Sequence, residues 1–318
     1  MRLLLPKPAT AVLATLALAA CDAGAAGGSP APAPDAADLP RIDAATSLLV
    51  VAPHPDDETL CCAGVIQRVV QAGGRASVVW ITSGDAERLG RPLAESLWLR
   101  SAARAREFGA RRMAEARAAT ALLGVPASGQ LFLGYPDGGV AALLTSHRLT
   151  PYHSPATGAA AVPYPDAVFP GHPYTGESLE RDFAAVLERT QPTLVFAPSP
   201  LDDHPDHRAA GLLTIAVSTR RGGLPRVRYW IVHGGEGWPS PRDLVPGVPL
   251  TPAPLGGALV PAAFALEPAE EDRKLLAIRA YATQMREMAP FLLSFVRTTE
   301  LFFARPQPQP LAALPPAS

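Results

Sequence analysis

Short apolar runs rich in β-branched residues alternate with longer amphipathic segments from residue 46 onward. Apolar positions that recur at a period of about two predict strands, and a period of about 3.6 predicts helices. The strands predicted in this way are Ser47–Ala52, Ala76–Thr82, Gln130–Leu133, Thr193–Ala197 and Val227–Val232. The alternation is typical of βαβ units, so we predict an α/β fold: a Rossmann-like, three-layer arrangement with a mostly parallel sheet flanked by helices.

Amphipathic segments fill the gaps between these strands, and glycine breakers such as Gly73 and Gly124 close two of them. The predicted helices are Glu58–Ala72, Leu97–Leu123, Leu179–Arg189, His207–Ser218 and a late one from Pro268 to about Met288. Residues 140–176 are rich in Pro, Gly, Ser and Tyr and show little periodicity. They predict a long loop, which is either a lid near a site or a disordered surface insertion.

The first residues have the pattern of a targeting signal. Arg2 and Lys7 precede an apolar run, Ala9 to Ala20, that is too short to span a bilayer and fits a signal h-region. Leu18-Ala19-Ala20-Cys21 resembles a bacterial lipobox, in which the peptide is removed before the cysteine and the cysteine is lipidated. The alternative is an ordinary secretory peptide in which Cys21 is incidental.

We therefore expect a lipoprotein signal peptide over residues 1–20, with lipid on Cys21 as the membrane anchor. The location would be extracytoplasmic, and the lipobox resemblance adds that Asp22 favours the periplasmic face of the inner membrane if the cell is Gram-negative. Residues 21–45 are rich in Ala, Gly and Pro and predict a flexible tether. A folded domain over 46–305 and a Pro-rich, disordered tail over 306–318 complete the predicted organisation.

Composition narrows the partners of this chain. Its 318 residues are 48% hydrophobic, which is enough for a large core, and the formal net charge of −1 provides no field that would attract nucleic acid. We therefore expect no nucleic-acid partner, and the sequence leaves the oligomeric state unknown. Cys61 and Cys62 are adjacent, and because adjacent cysteines rarely form an unstrained disulfide, we expect buried free thiols.

Two polar clusters follow predicted strands. His54-Pro55-Asp56-Asp57-Glu58 comes after the first strand, and His204-Pro205-Asp206-His207 comes after the fourth. Ligands of open α/β sheets lie outside the carboxyl ends of the strands, so the two clusters are expected to meet. Their histidines and carboxylates are the donors of a hydrolytic zinc site. Either cluster alone would equally fit a turn that caps a helix, whereas two together indicate one site.

Four segments together resemble the PIG-L/LmbE family of zinc-dependent N-deacetylases. They are Ala52-Pro53-His54-Pro55-Asp56-Asp57-Glu58-Thr59-Leu60, Ile81-Thr82-Ser83-Gly84-Asp85, Phe132-Leu133-Gly134-Tyr135-Pro136-Asp137-Gly138 and Pro200-Leu201-Asp202-Asp203-His204-Pro205-Asp206-His207. The resemblance covers most of residues 46–305. It implies removal of acetyl groups from N-acetylglucosamine-type sugars and related amides. One departure is that Cys61 and Ala63 stand where this family often has glycine.

The resemblance implies roles for three residues of the first cluster and for the last residue of the second. His54, Asp57 and His207 would bind one Zn²⁺ per chain, although another divalent metal is possible. Asp56 would be the general base that takes a proton from zinc-bound water and then, as an acid, gives it to the leaving amine. Glu58 opens the following helix, where a structural role is expected.

The resemblance also assigns the rest of the second cluster. His204 would stabilise the oxyanion of the tetrahedral intermediate. Asp206 would orient His204 and favour its protonated form, unless it is instead an N-cap of the following helix. Asp206 and His204 therefore join Asp56 as the predicted catalytic residues.

Four further residues are candidates for substrate contact. Asp85 and Asp137 lie at strand ends, where each either hydrogen-bonds sugar hydroxyls or is a turn residue. Arg88 is a candidate on position alone. His233 follows the fifth strand and either lines the mouth of the site or has a structural role.

The function expected from these residues is removal of the N-acetyl group from an N-acetylglucosamine-type sugar. An exported, lipid-anchored enzyme favours an envelope glycan or glycolipid as substrate, with attack by zinc-bound water assisted by Asp56. The partners would then be the N-acetylated glycoconjugate and, through Cys21, the membrane. Two alternatives stay open: a zinc amidase or esterase for another acylated substrate, and a non-catalytic glycan-binding lipoprotein.

Overall fold

A computed structural model describes residues 39, 41–86, 101–221, 226–257 and 259–304. Several predictions fall outside these described residues: the signal peptide over 1–20, the lipidated Cys21, most of the tether, the substrate contact Arg88 and the tail over 306–318. Within the described ranges, no helix combines the length and the apolarity needed to cross a bilayer.

A twisted central sheet carries the fold. Its strands are β1 (Ser47–Ala52), β2 (Arg75–Thr82), β3 (Gln130–Tyr135), β4 (Leu194–Pro198) and β5 (Arg226–Trp230). They lie in the order β3-β2-β1-β4-β5, and each neighbouring pair is parallel. The predicted parallel α/β sheet is confirmed. Because the strand order reverses between β1 and β4, a crevice opens at their carboxyl ends.

Burial on both faces explains why the strands are continuous apolar runs. Every residue of β1 is buried, and Val50 lies in register between Val78 of β2 and Phe196 of β4. The rings of Trp80 and Phe132 stack on neighbouring strands with centroids 4.2 Å apart. The ends of β1 and β4 are therefore fixed by a rigid core.

Helices cover both faces of the sheet. The structure has α1 (Asp57–Gln71), α2 (Ala102–Leu122), α3 (Val140–Leu144), α4 (Gly176–Thr190), α5 (Pro205–Arg220), α6 (Pro268–Ala280) and α7 (Ala282–Leu293). Right-handed crossovers place helices that follow β1 and β2 on one face and helices that follow β3 and β4 on the other. Accordingly, α6 packs against α1 and α2, whereas α3 and α4 pack against α5. The three-layer prediction is confirmed.

The predicted late helix from Pro268 to Met288 is two helices. The chain leaves helical geometry at Tyr281, and α7 then continues beyond the predicted end. Met288 has non-helical backbone angles of φ −139° and ψ 33°. Pro290 lies just after it and removes a backbone donor from the helix, which accounts for the kink.

A two-stranded antiparallel sheet, β6 (Ala262–Ala265) with β7 (Thr299–Phe302), was not predicted. Glu300 of β7 is buried, and it accepts hydrogen bonds from the amides of Gly64 (2.9 Å) and Val65 (3.2 Å) in α1. Lys274 of α6 pairs with the same carboxylate at 2.9 Å. This buried ion pair ties the C-terminal elements to the helix that opens the site.

The prediction of free thiols is wrong, because Cys61 and Cys62 form a disulfide within α1. Both side chains are buried, with 6% and 0% exposure. The general rarity of bridges between adjacent cysteines therefore does not decide the state of this helical pair.

The segment between α3 and α4 is irregular but well packed. The amide of Tyr152 donates to the carbonyl of Tyr174 at 2.9 Å, and the Tyr174 hydroxyl donates to the carbonyl of Gly134 in β3 at 3.1 Å. The alternative of a disordered insertion over 140–176 is therefore wrong. Among the described residues, none from 145 to 175 lines the cavity at the sheet edge, so the structure gives no support for a lid.

Candidate metal centre and active site

A tight turn joins β1 to α1 and carries the first cluster. The backbone amide of His54 donates to Asp57 Oδ2 at 2.8 Å, which closes the turn over Asp56. Asp56 has φ 124° and ψ −33°, a backbone conformation that non-glycine residues rarely adopt. Such strain persists only where the surrounding structure imposes it, and it clusters at functional sites.

The predicted metal ligands converge on one carboxylate oxygen. Asp57 Oδ2 lies 3.3 Å from His54 Nδ1 and 3.2 Å from His207 Nε2. Two ligand atoms that are each ~2.1 Å from a tetrahedral zinc are about 3.4 Å apart. All three side chains are buried, and each of these two distances fits a pair of donor atoms on one zinc ion.

The electrostatics of this cluster also fit a cation. Burial lowers the pKa of His207, but the charges of Asp202 and Asp57 more than offset it, and the pKa rises to about 9. Burial would raise the pKa of Asp57, yet His207 and His54 hold it well below its usual range. Among the described residues, neither ring nitrogen of His207 makes a hydrogen bond of good geometry. Positive charge is thus favoured where the metal would sit.

Side chains next to His54, Asp57 and His207 provide further atoms that could bind a metal ion. In three sets of side chains, the donor atoms lie within 4.8 Å of one another: His54 with His204 and His207, Asp57 with His207 and His233, and His54 with Asp137 and Asp206. Each of the three predicted ligands belongs to at least one of these sets, although none of the three sets contains all of them together.

Arg112 of α2 holds the predicted base. Its Nη2 donates to Asp56 Oδ2 at 3.1 Å and to the carbonyl of Pro55 at 2.6 Å, and Nη1 donates to the carbonyl of Gly84 at 3.2 Å. A Cβ on Gly84 would lie 2.2 Å from Nη1, and Gly84 has φ +67°, so only glycine fits there. The guanidinium therefore clamps the β1–α1 turn to the end of β2.

His204 lines the cavity at the start of α5. It is the N-cap of that helix, and its Nδ1 accepts a hydrogen bond from the backbone amide of Asp206 at 3.2 Å. Burial, together with the charges of His54 and His207, lowers the pKa of His204 to about 4. The ring is therefore neutral near pH 7, and since Nδ1 is an acceptor, the proton lies on Nε2.

The Asp206 side chain makes hydrogen bonds other than those predicted. Its carboxylate accepts hydrogen bonds from the amides of Gly138 (2.7 Å) and Val140 (3.1 Å), and it lies 3.4 Å from His54 Nε2. The N-cap of α5 is His204, not Asp206; the backbone amide of Asp206 donates to the His204 ring, and the Asp206 charge acts to raise the pKa of His204 without offsetting burial. The carboxylate instead ties the loop after β3 to His54.

Two of the residues predicted to contact substrate, Asp137 and Asp85, differ in whether they line the cavity. Asp137 lines the cavity, with Oδ1 3.2 Å from His54 Nε2 and Oδ2 accepting from the amide of Ala86 at 2.9 Å. Asp85 instead accepts hydrogen bonds from Tyr164 Oη (2.5 Å) and Ser83 Oγ (3.1 Å) and does not line the cavity. Burial and the charge of Asp137 raise the pKa of Asp85 to about 7. A structural role fits Asp85.

His233 is among the residues that line the cavity. Its ring centroid is 4.7 Å from that of His207 and 5.1 Å from that of His204, and it stacks against Phe291. Burial and the charge of His207 lower the pKa of His233 to about 3. His233 is thus a neutral ring between the histidine cluster and an apolar wall.

The lining of the cavity is of two kinds. Its volume is about 220 Å³. The polar and charged lining residues include His54, Asp56, Asp57, Arg112, Asp137 and His204. The apolar lining residues include Leu60, Val232, Met288 and Phe291, and His233 and Gln284 also line the cavity. A ligand here would meet both reactive groups and apolar side chains.

The family described as "GlcNAc-PI de-N-acetylase", PIG-L, matches residues 49–218. The chain belongs to this family. The predicted resemblance is confirmed, and so is the prediction of an N-deacetylase, because PIG-L enzymes are metal-dependent N-deacetylases. The matched residues contain both polar clusters and the strands that position them.

Two curated relatives of this PIG-L protein have the same description, "1D-myo-inositol 2-acetamido-2-deoxy-alpha-D-glucopyranoside deacetylase". The one from Actinosynnema mirum is 28% identical over 210 residues, which are 64% of this chain and 65% of the relative. The chain thus spans slightly less than two thirds of that relative's length. The one from Tsukamurella paurometabola is 29% identical over 280 residues, covering 79% of this chain and 86% of the relative.

The fold of this PIG-L protein is also similar to that of solved structures. The conserved protein TT1542 from Thermus thermophilus superimposes with a TM-score of 0.51 at 24% identity, covering 83% of this chain and 96% of that one. At this identity the likeness shows the fold, a parallel sheet between helix layers.

Sequence reasoning missed two buried residues of this PIG-L site, Arg112 and Asp202. Arg112 is 2% exposed and lies on the face of α2 that also buries Gly109 and Ala116, so a lone arginine among small buried positions was an available signal. Asp202, 1% exposed, lies 3.2 Å from His207 Nδ1. Asp202 belongs to the motif that runs from Pro200 to His207, but nothing in its spacing distinguishes it from Asp203.

Proposed function

We propose that this PIG-L protein is a zinc-dependent hydrolase that removes the N-acetyl group from an N-acetylglucosamine-type sugar of an envelope glycan or glycolipid. The observation that carries the proposal is the meeting of His54 Nδ1 and His207 Nε2 at Asp57 Oδ2, at 3.3 and 3.2 Å, beside a cavity lined by Asp56 and His204. The two curated relatives, whose names specify a 2-acetamido-2-deoxy-glucopyranoside, support the type of sugar.

His54, Asp57 and His207 would hold the ion. Bound there, zinc would supply a Lewis acid and lower the pKa of a coordinated water toward ~7. Two of the ligands have partners that restrain them: the turn hydrogen bond from the His54 amide holds Asp57, and Asp202 lies 3.2 Å from Nδ1 of His207. Preorganised ligands of this kind are what a catalytic site needs.

Asp56 is the carboxylate placed to move protons. It lines the cavity next to the ligand Asp57, and Arg112 fixes it through Oδ2. We assign to Asp56 the acceptance of a proton from the attacking water and the delivery of that proton to the nitrogen of the departing amine. A carboxylate of modest basicity suffices once the water is acidified.

His204 is placed to bind the developing oxyanion. Its Nδ1 is occupied by the Asp206 amide, so Nε2–H is the donor that the ring presents. A neutral imidazole donates one hydrogen bond to the amide oxygen as charge develops on it, and it needs no proton from solvent to do so. This differs from the protonated His204 that the sequence led us to expect.

The cavity favours one sugar ring. Typical ligand pockets are about 300–1,000 Å³, and this one, at about 220 Å³, is smaller. One N-acetylated ring would enter with its amide toward Asp56 and a hydroxyl toward Asp137, and its apolar face would lie against Met288 and Phe291. The remainder of a glycan or glycolipid would stay outside.

The envelope location rests on the predicted lipidation of Cys21, because an enzyme for a cytosolic sugar would not need export. Fractionation of cells that express the full chain or Cys21→Ala checks it. Membrane association is expected only for the chain that retains Cys21. A Cys21→Ala protein that stays in the membrane fraction would contradict the anchor.

The activity is tested by acetate release from N-acetylglucosamine oligomers. We expect release by the zinc-loaded protein, loss after removal of metal with a chelator, and recovery when zinc is restored. Activity that resists the chelator would rule out the zinc mechanism. Release from non-sugar N-acetyl amides but not from the oligomers would instead favour the amidase alternative.

A further inference from the structure

The carboxylate of Asp202 organises the turn between β4 and α5. Its Oδ1 accepts a hydrogen bond from the amide of His204 at 3.0 Å. Its Oδ2 accepts from the amides of Val232 (2.9 Å) and His233 (3.0 Å), which follow β5. Asp202 is only 1% exposed, so these backbone N–H groups replace the hydrogen bonds that its carboxylate would make with water in the unfolded chain.

These hydrogen bonds fix the direction in which Asp202 points. A buried carboxylate that accepts three backbone N–H groups is held ionised and cannot rotate without losing them. In that orientation Oδ2 lies 3.2 Å from Nδ1 of His207, whose side chain is fully buried. Although Nδ1 makes no hydrogen bond of good geometry among the described residues, the carboxylate is a fixed anion beside it that favours a proton on Nδ1.

A proton on Nδ1 determines whether the other ring nitrogen, Nε2, has a lone pair with which to bind a metal. In a neutral imidazole only one nitrogen carries hydrogen, so a protonated Nδ1 leaves a lone pair on Nε2. His207 Nε2 is the atom that lies 3.2 Å from Asp57 Oδ2. The lone pair thus faces the space where the ligand atoms converge.

We propose that Asp202 is a positioning residue for both histidines of the second cluster. It holds His207 as the tautomer whose Nε2 binds the metal, and through the His204 amide it sets the start of α5, where the oxyanion donor lies. This inference rests on the proposed function, since the group that His207 would bind is zinc. Partners that orient metal-ligating histidines typically change metal affinity by about 10–100-fold when they are removed.

Asp203 provides a matched control, because it is the next residue, has the same charge and is exposed. Zinc affinity of the full chain is measured by competition with a chromophoric chelator for the wild type, Asp202→Asn and Asp203→Asn. We expect zinc to dissociate from Asp202→Asn with a constant about 10–100-fold larger, and from Asp203→Asn within about twofold of the wild-type value. Equal affinity in Asp202→Asn and the wild type would overturn the inference.

A wild-type protein that binds no zinc would instead contradict the proposed function, so the two failures are distinguishable. A second measurement needs no variant and stands even if Asp202→Asn does not fold. The ¹⁵N chemical shifts of the His207 ring in the zinc-loaded wild type should show Nδ1 protonated and Nε2 bound to metal. Metal on Nδ1, or a proton on Nε2, would overturn the assignment.

Discussion

The two loops that form the site are held in different ways. The loop after β1 contains a strained residue, Asp56 at φ 124°, and is clamped by Arg112 from a helix far along the chain. The loop after β4 has its own acceptor, Asp202, which bonds the amide of His204 two residues later. Each loop contains a carboxylate that accepts from a backbone amide of the same loop, Asp57 in the first and Asp202 in the second, but the first is in addition clamped by a remote cation.

This difference follows from what each loop does. The loop after β1 must present a carboxylate that accepts and releases a proton during the reaction, and the Arg112 guanidinium holds that carboxylate in position. The loop after β4 presents the rings of His204 and His207, and a buried anion beside His207 favours a proton on its Nδ1. The two supports can therefore be broken separately.

The largest effect is expected at the residue that moves protons. We choose Asp56→Asn because asparagine tolerates the positive φ better than alanine and still accepts a hydrogen bond from Arg112. The kcat should fall by about 10²–10⁴, the usual contribution of a general base. Zinc content, measured by atomic absorption, should stay unchanged. Loss of zinc would mean that base and ligand have been exchanged in our assignment.

A smaller effect is expected at His204 in the other loop. His204→Asn retains a good N-cap for α5 but loses the Nε2 donor, whereas His204→Ala loses both. Both variants should lower kcat by about 10²–10³, the typical result of removing one oxyanion donor.

Only His204→Ala should also destabilise the fold, by about 0.5–2 kcal/mol, as urea unfolding would show. Comparison of His204→Asn with His204→Ala therefore separates the contribution of His204 to catalysis from its contribution as the N-cap of α5. If His204→Asn keeps wild-type kcat, the oxyanion role is wrong and the histidine is a cap.

The smallest effect is expected from the clamp on Asp56. Lysine in place of Arg112 keeps the charge but lacks the fork that reaches several acceptors, so kcat should fall by about tenfold with little change in KM. Gly84→Ala should act in the same direction, because its Cβ would displace the guanidinium.

Arg111→Lys is the control for the Arg112 substitution, since Arg111 is adjacent and exposed. Steady-state kinetics on the three variants tests the remote clamp. If Arg112→Lys were indistinguishable from Arg111→Lys, the loop after β1 would hold Asp56 without outside support, and the contrast between the two loops would disappear.

Strand positions were predictable from the sequence because the parallel sheet is buried on both faces. Runs such as Leu48–Ala52 and Leu194–Ala197 have no polar interruption, and the structure places strand ends within two residues of those predicted. The antiparallel pair β6 and β7 was missed, because Ala262–Ala265 is short and lacks β-branched residues.

The candidate site was predictable to the extent that it lies in local motifs. His54, Asp57 and His207 follow strands whose ends must meet, so their convergence could be expected from strand order. The partner of a buried charge depends instead on which distant helix face covers it. For that reason Arg112 and the two amides that hold Asp206 were not foreseen.

Most of the apolar lining of the cavity comes from beyond the family match. The match ends at residue 218 and includes Leu60, whereas Val232, Met288 and Phe291 come from later elements, with Met288 at the kink of α7. These three apolar positions are thus encoded in a different stretch of the gene from the residues assigned to proton transfer. A library confined to codons 288–291 would vary the substrates accepted while the proton-transfer machinery stays constant.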